Sequence, residues 1–249
     1  WSADCVSGVR SRPGRGVSVM KNGSGVEADR IGTWGGQPPA SEIFKIHTSG
    51  YKRAMDLAIA IPVLVFTSPL LIAIYCLLKI VDPGPALFTQ LRVGRDGQTF
   101  LVYKFRTMRI DAAARLNALL ATDPAAAIEW AHFQKLRNDP RVTIIGRFLR
   151  KTSLDELPQL LNILRGEMSV VGPRPVTSSE IHRYASDYPF YTAVRPGVVG
   201  LWQVSGRNKL TYDARVALDV KYVKTWTIWS DVMILLRAIP VVLFGRGAY

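Results

Sequence analysis

The densest chemical signal in the chain runs from Arg150 to Gly166, Arg-Lys-Thr-Ser-Leu-Asp-Glu-Leu-Pro-Gln-Leu-Leu-Asn-Ile-Leu-Arg-Gly. Leu157, Leu160, Leu161 and Leu164 recur at helical spacing and predict a buried stripe. Gly166 is suited to close that helix with a left-handed cap. Pro158 fits only in a first turn, where its missing N–H has no carbonyl to serve. Asp155 and Glu156 therefore fall at the helix N-terminus. Free N–H groups and the helix dipole there favour a phosphate, and favour the ionised form of a carboxylate nucleophile. Arg150 and Lys151, just upstream, could hold a phosphate against the same end. A plainer reading stands beside this one: Ser153-x-x-Glu156 is also a capping box, and acidic residues in a first turn are ordinary stabilisers.

Three further groups carry candidate chemistry. Pro173 and Pro175 flank Arg174 in a stiff loop. It either presents a guanidinium with little entropy left to lose or is a rigid turn with a surface arginine. Lys104, Arg106 and Arg109 alternate with Tyr103, Phe105 and Met108. They read either as phosphate or headgroup contacts or as the solvated face of an edge strand. Trp202 could stack on a base or fill a core. Two cysteines and three isolated histidines give no disulfide framework and no zinc spacing.

The elements that must position these groups follow from composition and patterning. The 249 residues are 48% apolar and 20% charged, with 32 Lys and Arg against 19 Asp and Glu, a net charge of +13. That excludes a wholly disordered chain and implies an anionic partner. Residues 1–42 hold eight of the twenty glycines and no apolar periodicity, and read as a disordered tail. From Leu57 to Leu78, 22 residues carry no charge, the only run long enough to span a bilayer. Pro62 and Pro69 interrupt it. Cationic residues lie on both sides: Lys45, Lys52 and Arg53 before, Lys79, Arg92 and Arg95 after. Since cationic flanks favour the cytoplasm, residues 43–81 are expected to form a re-entrant helix–break–helix hairpin. Its break is at Ser68-Pro69, with the serine hydroxyl taking up a freed carbonyl; the alternative is a kinked single span. Residues 82–110 read as a turn and a β-hairpin about Gly94–Gly97, and 111–137 as Ala-rich helix broken at Asp139-Pro140. In 141–151, Ile144, Ile145, Phe148 and Leu149 mark an apolar face. The aromatic-rich segment from 210 to the C-terminus is either a core helix pair or an interfacial amphipathic element. The fold class is thus α+β, mainly helical, with residues 82–249 as one domain after the hairpin; the family resemblance described next makes it the catalytic domain.

Lys-Phe-Arg-Thr-Met (104–108), Leu-Arg-Lys-Thr-Ser-Leu-Asp-Glu-Leu-Pro-Gln (149–159) and Val-Gly-Pro-Arg-Pro (171–175) resemble the bacterial sugar transferases. These are the monotopic polyprenyl-phosphate phosphoglycosyl transferases. The likeness extends over about residues 48–249 and is greatest to galactose phosphotransferases of exopolysaccharide synthesis, through Gly-Leu-Trp-Gln-Val-Ser-Gly-Arg-Asn (200–208) and Arg246–Tyr249. Lys52 and Asp56 match the family's start of the membrane hairpin. The absence of a preceding four-helix region resembles the family's small form. The resemblance implies that Asp155 is a nucleophile towards a UDP-hexose, galactose before glucose, releasing UMP and forming an aspartyl-phosphosugar for undecaprenyl phosphate to attack. It implies that Glu156 positions Mg²⁺ with Asp155 or assists proton transfer, and that Arg150 stabilises phosphoryl charge. It further implies an inner-membrane protein with its active site on the cytoplasmic face, with membrane lipids as partners and a homodimer left open. A non-enzymatic basic scaffold would need no acidic pair inside a basic face, and a nucleic-acid binder would not carry the uncharged run.

Overall fold

The structure is a computed structural model that describes residues 50–133, 136, 139–206 and 210–243. The tail expected over 1–42, Lys45, and the C-terminal Arg246–Tyr249 lie outside the described residues. Among the described residues the architecture is helical with two small two-stranded sheets.

Helix α1 spans Gly50–Val81 and contains both Pro62 and Pro69. The hydrogen-bonded helix runs through Ser68-Pro69, where the sequence suggested two separate arms. The reason is local. Pro69 has no N–H to give the carbonyl of Val65, four residues back, and the Ser68 hydroxyl donates to that oxygen at 2.8 Å. The helix is long and apolar enough to cross a membrane by length and composition. Both of its ends are packed against the rest of the chain. Lys52, Asp56 and Ala60 are buried on the first half, and Ile74 and Leu78 on the second. Between them, Val65 and Phe66 are 68% and 87% exposed. Water would not sustain so bare an apolar surface without cost, so this stretch is suited to lipid.

Strands β1 (Leu87–Val93) and β2 (Thr99–Phe105) pair antiparallel, Leu87 opposite Phe105 and Val93 opposite Thr99. Helices α2 (Ala112–Thr122) and α3 (Pro124–Phe133) divide the Ala-rich segment at Asp123-Pro124. Helix α4 (Ile144–Thr152) is capped by Thr143, whose hydroxyl accepts from the Gly146 N–H. It turns Leu149 inward and leaves Ile144 and Phe148 exposed beside Arg147 and Lys151. A 3₁₀ segment, Leu154–Gln159, leads into α5 (Leu160–Arg165), which Gly166 ends at φ 80°. Strands β3 (Ser169–Val171) and β4 (Gly197–Val199) are parallel. Between them lie a 3₁₀ stretch, Ser178–Asp187, and α6 (Tyr188–Thr192). Helices α7 (Leu201–Ser205), α8 (Tyr212–Lys224) and α9 (Ile228–Leu243) complete the fold.

The largest core joins Ala60 of α1, Val102, Leu160 and Ile163, Met168, Val170 and Val171, and Tyr222, Val223 and Ile234. The predicted leucine stripe is only partly realised. Leu161 is 39% exposed, and Asn162 and Ile163 are fully buried in its place. The 3₁₀ turns advance three residues per turn and shift the phase that a 3.6-residue helix would have kept. The core-helix reading of the C-terminal segment holds: α8 and α9 give Tyr222, Val223 and Ile234 to the core, and Trp229 and Leu236 stay exposed.

Gly146 marks a close approach that fixes α4 on the end of β2. A Cβ there would stand 2.0 Å from the backbone oxygen of Thr107. Gly146→Ala is therefore expected to lower stability by about 1–3 kcal/mol through overpacking. Thermal unfolding in detergent checks this, and an unchanged midpoint would mean that the contact yields freely.

Candidate active site

The site forms where α4, the 3₁₀ segment and β2 meet. Ser153 adopts a left-handed conformation, φ 57°, between α4 and the 3₁₀ segment. This reversal brings Arg150, at the end of one, against Asp155, at the start of the other. The Arg150 Nε donates to Thr107 Oγ1 at 2.9 Å, which ties the guanidinium to the end of β2. Lys104, on β2, donates to Glu156 Oε1 at 2.7 Å. The capping box does not form: the Ser153 side chain makes no cap hydrogen bond, and Glu156 faces Lys104.

Burial, and then the neighbouring Glu156 charge, push Asp155 up to about 6; Lys104 and Arg150 pull in the other direction. The sequence suggested the reverse, a carboxylate kept ionised by a helix N-terminus. The acidic pair instead occupies a 3₁₀ turn, where burial outweighs what the short segment supplies. Arg150 is itself pulled below its ordinary value, chiefly by burial.

An open cleft, about 400 Å³ with the solvent space it takes in, reaches the pair at Glu156, and is lined by Lys104, Glu156 and Gln159 together with Arg92, Arg174 and Pro175. The Pro-Arg-Pro loop is fastened at several points. Gly172 N donates to Val199 O at 2.9 Å, Gly197 N to Pro173 O at 2.7 Å, and Arg92 Nη1 to Pro175 O at 3.0 Å. Pro173 and Pro175 are buried and Arg174 between them is exposed, with its guanidinium carbon 5.9 Å from the Trp202 ring centre. Trp202 is buried, and Arg215 covers it at 4.8 Å. Arg92 is drawn down by burial and then by Arg174, and Arg215 likewise. Cations that weaken one another around a cleft make it a receptor for an anion.

The structure thus brings together Asp155, Glu156, Arg150 and Lys104, with Arg174, Pro173 and Pro175 across the cleft. Two predicted substrate contacts lie elsewhere. Arg106 is 7% exposed and pairs with Asp82 at 3.2 Å, bracing the turn after α1. Lys151 is exposed on α4 and does not line the cleft. Sequence reasoning missed Arg92, which alternates on β1 as Lys104 does on β2. It also missed Gln159, whose alignment with Glu156 depends on the 3₁₀ geometry. Among the described residues, no three His, Cys, Asp or Glu side chains converge on a metal site. The adjacent carboxylates of Asp155 and Glu156 suit Mg²⁺, which takes one or two protein carboxylates and completes its shell with water and substrate phosphate. They do not suit zinc.

This geometry belongs to a recognisable class. Residues 47–245 match the family model described as "Bacterial sugar transferase", and the chain belongs to that family. It is 52% identical over 199 residues to the undecaprenyl-phosphate galactose phosphotransferase of Salmonella typhimurium, covering 80% of this chain and 41% of that protein. It is 48% identical over 204 residues to the UDP-galactose-lipid carrier transferase of Erwinia amylovora, covering 82% and 43%. It is also 48% identical over 198 residues to the exopolysaccharide production protein ExoY of Sinorhizobium fredii, covering 80% and 88%. The chain therefore spans under half the length of the first two relatives and most of the third.

The raised Asp155 gives the resemblance's expectation of an aspartate nucleophile a testable pH profile. A carboxylate attacks only when ionised, so if Asp155 has that role, kcat/KM falls as pH drops through about 6. Lys104→Met removes a cation that favours ionisation, so the acidic limb moves to higher pH. A wild-type limb near pH 4 would mean that burial does not govern this carboxyl group.

Proposed function

We propose that the protein transfers a hexose 1-phosphate, galactose first, from a UDP-hexose to undecaprenyl phosphate and so begins exopolysaccharide synthesis. The observation that carries this is the half-buried Asp155, raised towards neutrality with Arg150 and Lys104 acting on it, next to Glu156, which lines an arginine-bearing cleft. An Asp155 carboxylate oxygen attacks the β-phosphorus of the donor. The bond from that phosphorus to the bridging oxygen breaks, and UMP leaves. An oxygen of the lipid phosphate then attacks the same phosphorus, the aspartyl–phosphorus bond breaks, and the carboxylate is regenerated. Arg150 and Lys104 balance charge at the nucleophile, while Arg92 and Arg174 hold the diphosphate. Asp155 and Glu156 would hold Mg²⁺, whose contribution is neutralisation of diphosphate oxygens.

The sugar and lipid carrier are favoured by the names of the Salmonella and Erwinia relatives. Re-entry of α1 from the cytoplasmic face of the inner membrane is favoured by its two packed ends and bare apolar middle, with a bend at Ser68-Pro69. Exposed Ile144 and Phe148 on α4 and Trp229 on α9 suit the interface beside it. The test is UMP release from UDP-galactose in detergent with undecaprenyl phosphate and Mg²⁺. Release should require the lipid phosphate for turnover and stop on chelation. No release with any UDP-hexose would overturn the reading, and undiminished turnover in chelator would remove the metal from it.

A further inference from the structure

We propose that Phe88 seats the first isoprene units of the acceptor lipid, on the path by which its phosphate reaches the attacked phosphorus; this rests on the reading of the cleft as a site for a UDP-hexose and a polyprenyl phosphate. The strand register sets the order of groups along the cleft. Phe88 stands opposite Lys104, Gln90 opposite Val102, and Arg92 opposite Phe100. Directly paired residues share one face of a sheet, as do residues two apart on a strand. Phe88, Gln90 and Arg92 therefore form one row, and all three line the cleft. At one end of the row, Lys104 across from Phe88 holds Glu156, the neighbour of Asp155. At the other end, Arg92 Nη1 donates to Pro175 O at 3.0 Å, beside Arg174. Four strand residues separate the two ends, about 13 Å.

The Phe88 end is also the end next to the apolar helix. Leu87 and Leu154, the chain neighbours of Phe88 and Asp155, pack on the cluster that holds Ile74 and Leu78 of α1. Phe88 itself is 49% exposed, a large apolar ring in a cleft that also carries arginine, lysine and glutamate. The two transfer steps decide what passes over it. Displacement at phosphorus runs in line, with the attacking and leaving oxygens on opposite sides. Asp155 attacks from one side, and UMP departs on the other, towards Arg92 and Arg174. In the second step the bond from phosphorus to the Asp155 oxygen breaks, so the lipid phosphate enters from the side that UMP vacated. Its chain must then return to the membrane, and the hairpin face from Arg92 to the end of α1 leads past Phe88. The uridine of the donor points the other way, beyond the arginines. An aromatic ring in this place offers apolar area to a prenyl chain and no donor to a phosphate.

The test compares wild type, Phe88→Ala and Phe88→Leu in detergent by kcat/KM for three substrates: UDP-galactose, undecaprenyl phosphate and farnesyl phosphate. UMP released from UDP-galactose without lipid, and thermal midpoints, are measured on the same samples. Phe88→Ala should lose about 10-fold with both prenyl phosphates, the worth of burying one large apolar side chain. The loss should be equal for the short and the long acceptor, since the ring meets only the first units. Phe88→Leu, which stays apolar, should lose less. For both variants kcat/KM for UDP-galactose, and UMP release before lipid is added, should match wild type. A loss on UDP-galactose with the prenyl phosphates unaffected would mean that the ring serves the nucleotide, and would overturn the inference. Equal losses on every substrate with a lowered midpoint would give Phe88 a structural role, and a loss confined to undecaprenyl phosphate would mean that it meets only bulk lipid; either overturns it. If wild type releases no UMP from any UDP-hexose, the proposed function itself fails and the inference falls with it. If wild type turns over normally and both variants match it on all three substrates, only the inference falls.

Discussion

Asp155→Asn is expected to reduce UMP release by at least about 10³-fold while leaving the protein at least as stable as wild type. The two halves have one cause. The amide is nearly the same shape as the carboxyl group but has no anionic oxygen to attack phosphorus. Stability follows from the direction of the shift. Asp155 is raised from 3.8 to about 6, so the folded protein resists its ionisation more than the unfolded chain does. That penalty is absent below about pH 4, grows as pH rises through about 6, and is fully present at neutral pH. A shift of this size corresponds to on the order of 2–3 kcal/mol, and partial solvent access makes that an upper figure. The Asn variant escapes the penalty. Its thermal midpoint at pH 7.5 should therefore equal or exceed that of wild type, with the gap closing towards pH 4. An active Asn variant would remove Asp155 from the chemistry. A strongly destabilised one would mean that the carboxylate is structural.

The second large effect concerns the cluster that fastens α1 to the body that carries the site. The Lys52 Nζ donates to Asp231 Oδ2 at 2.6 Å and to Val171 O at 3.0 Å, and lies 3.6 Å from Asp56 Oδ1. Tyr222 and Trp226 donate to Asp231 at 2.8 and 3.0 Å. Asp56 Oδ1 accepts from Ser169 Oγ at 2.8 Å and from Val170 N at 3.0 Å. Lys52, Asp56 and Asp231 are all essentially inaccessible to water. Lys52→Met leaves two buried carboxylates without their lysine, and breaking such a pair costs about 3–5 kcal/mol. In a chain of this size that lowers the melting temperature by about 10 °C. Asp56→Asn in the Lys52→Met background removes one of the stranded charges and keeps an acceptor for Ser169 and Val170. The double variant should therefore be more stable than Lys52→Met alone, a coupling that a double-mutant cycle reads directly. Additive losses would mean that the three charges do not act together.

The parts of the fold set by local chemistry were legible in the sequence. The β1–β2 hairpin follows from β-type runs about Gly94–Gly97, the end of α5 from Gly166, and the apolar helix from its uninterrupted composition. The acidic pair and the Pro-Arg-Pro loop were visible because their residue types are unusual for their setting. What escaped depended on contacts far apart in the chain. Arg106 resembles Lys104 in the strand pattern, but its partner Asp82 is placed only once the hairpin folds back on the end of α1. Ser153-x-x-Glu156 fits a capping box by spacing alone, and it is Lys104, 52 residues upstream, that claims Glu156. Leu161 followed an assumed 3.6-residue period that the 3₁₀ turns break. Lys52 was legible as a cationic flank of the apolar run and as a match to the family's hairpin start, but not as a buried charge. It is buried because Asp231, 179 residues away, comes to meet it.

The covalent step is the centre of the account, and intact-mass spectrometry of the enzyme with UDP-galactose and Mg²⁺, without any lipid phosphate, tests it most directly. The predicted result is a single added hexose phosphate that maps to Asp155, is absent from Asp155→Asn, forms with up to one equivalent of UMP, and disappears when undecaprenyl phosphate is supplied. UMP appearing only when the lipid phosphate is present, with no adduct on the protein in its absence, would contradict it and point to direct attack of the lipid on the donor.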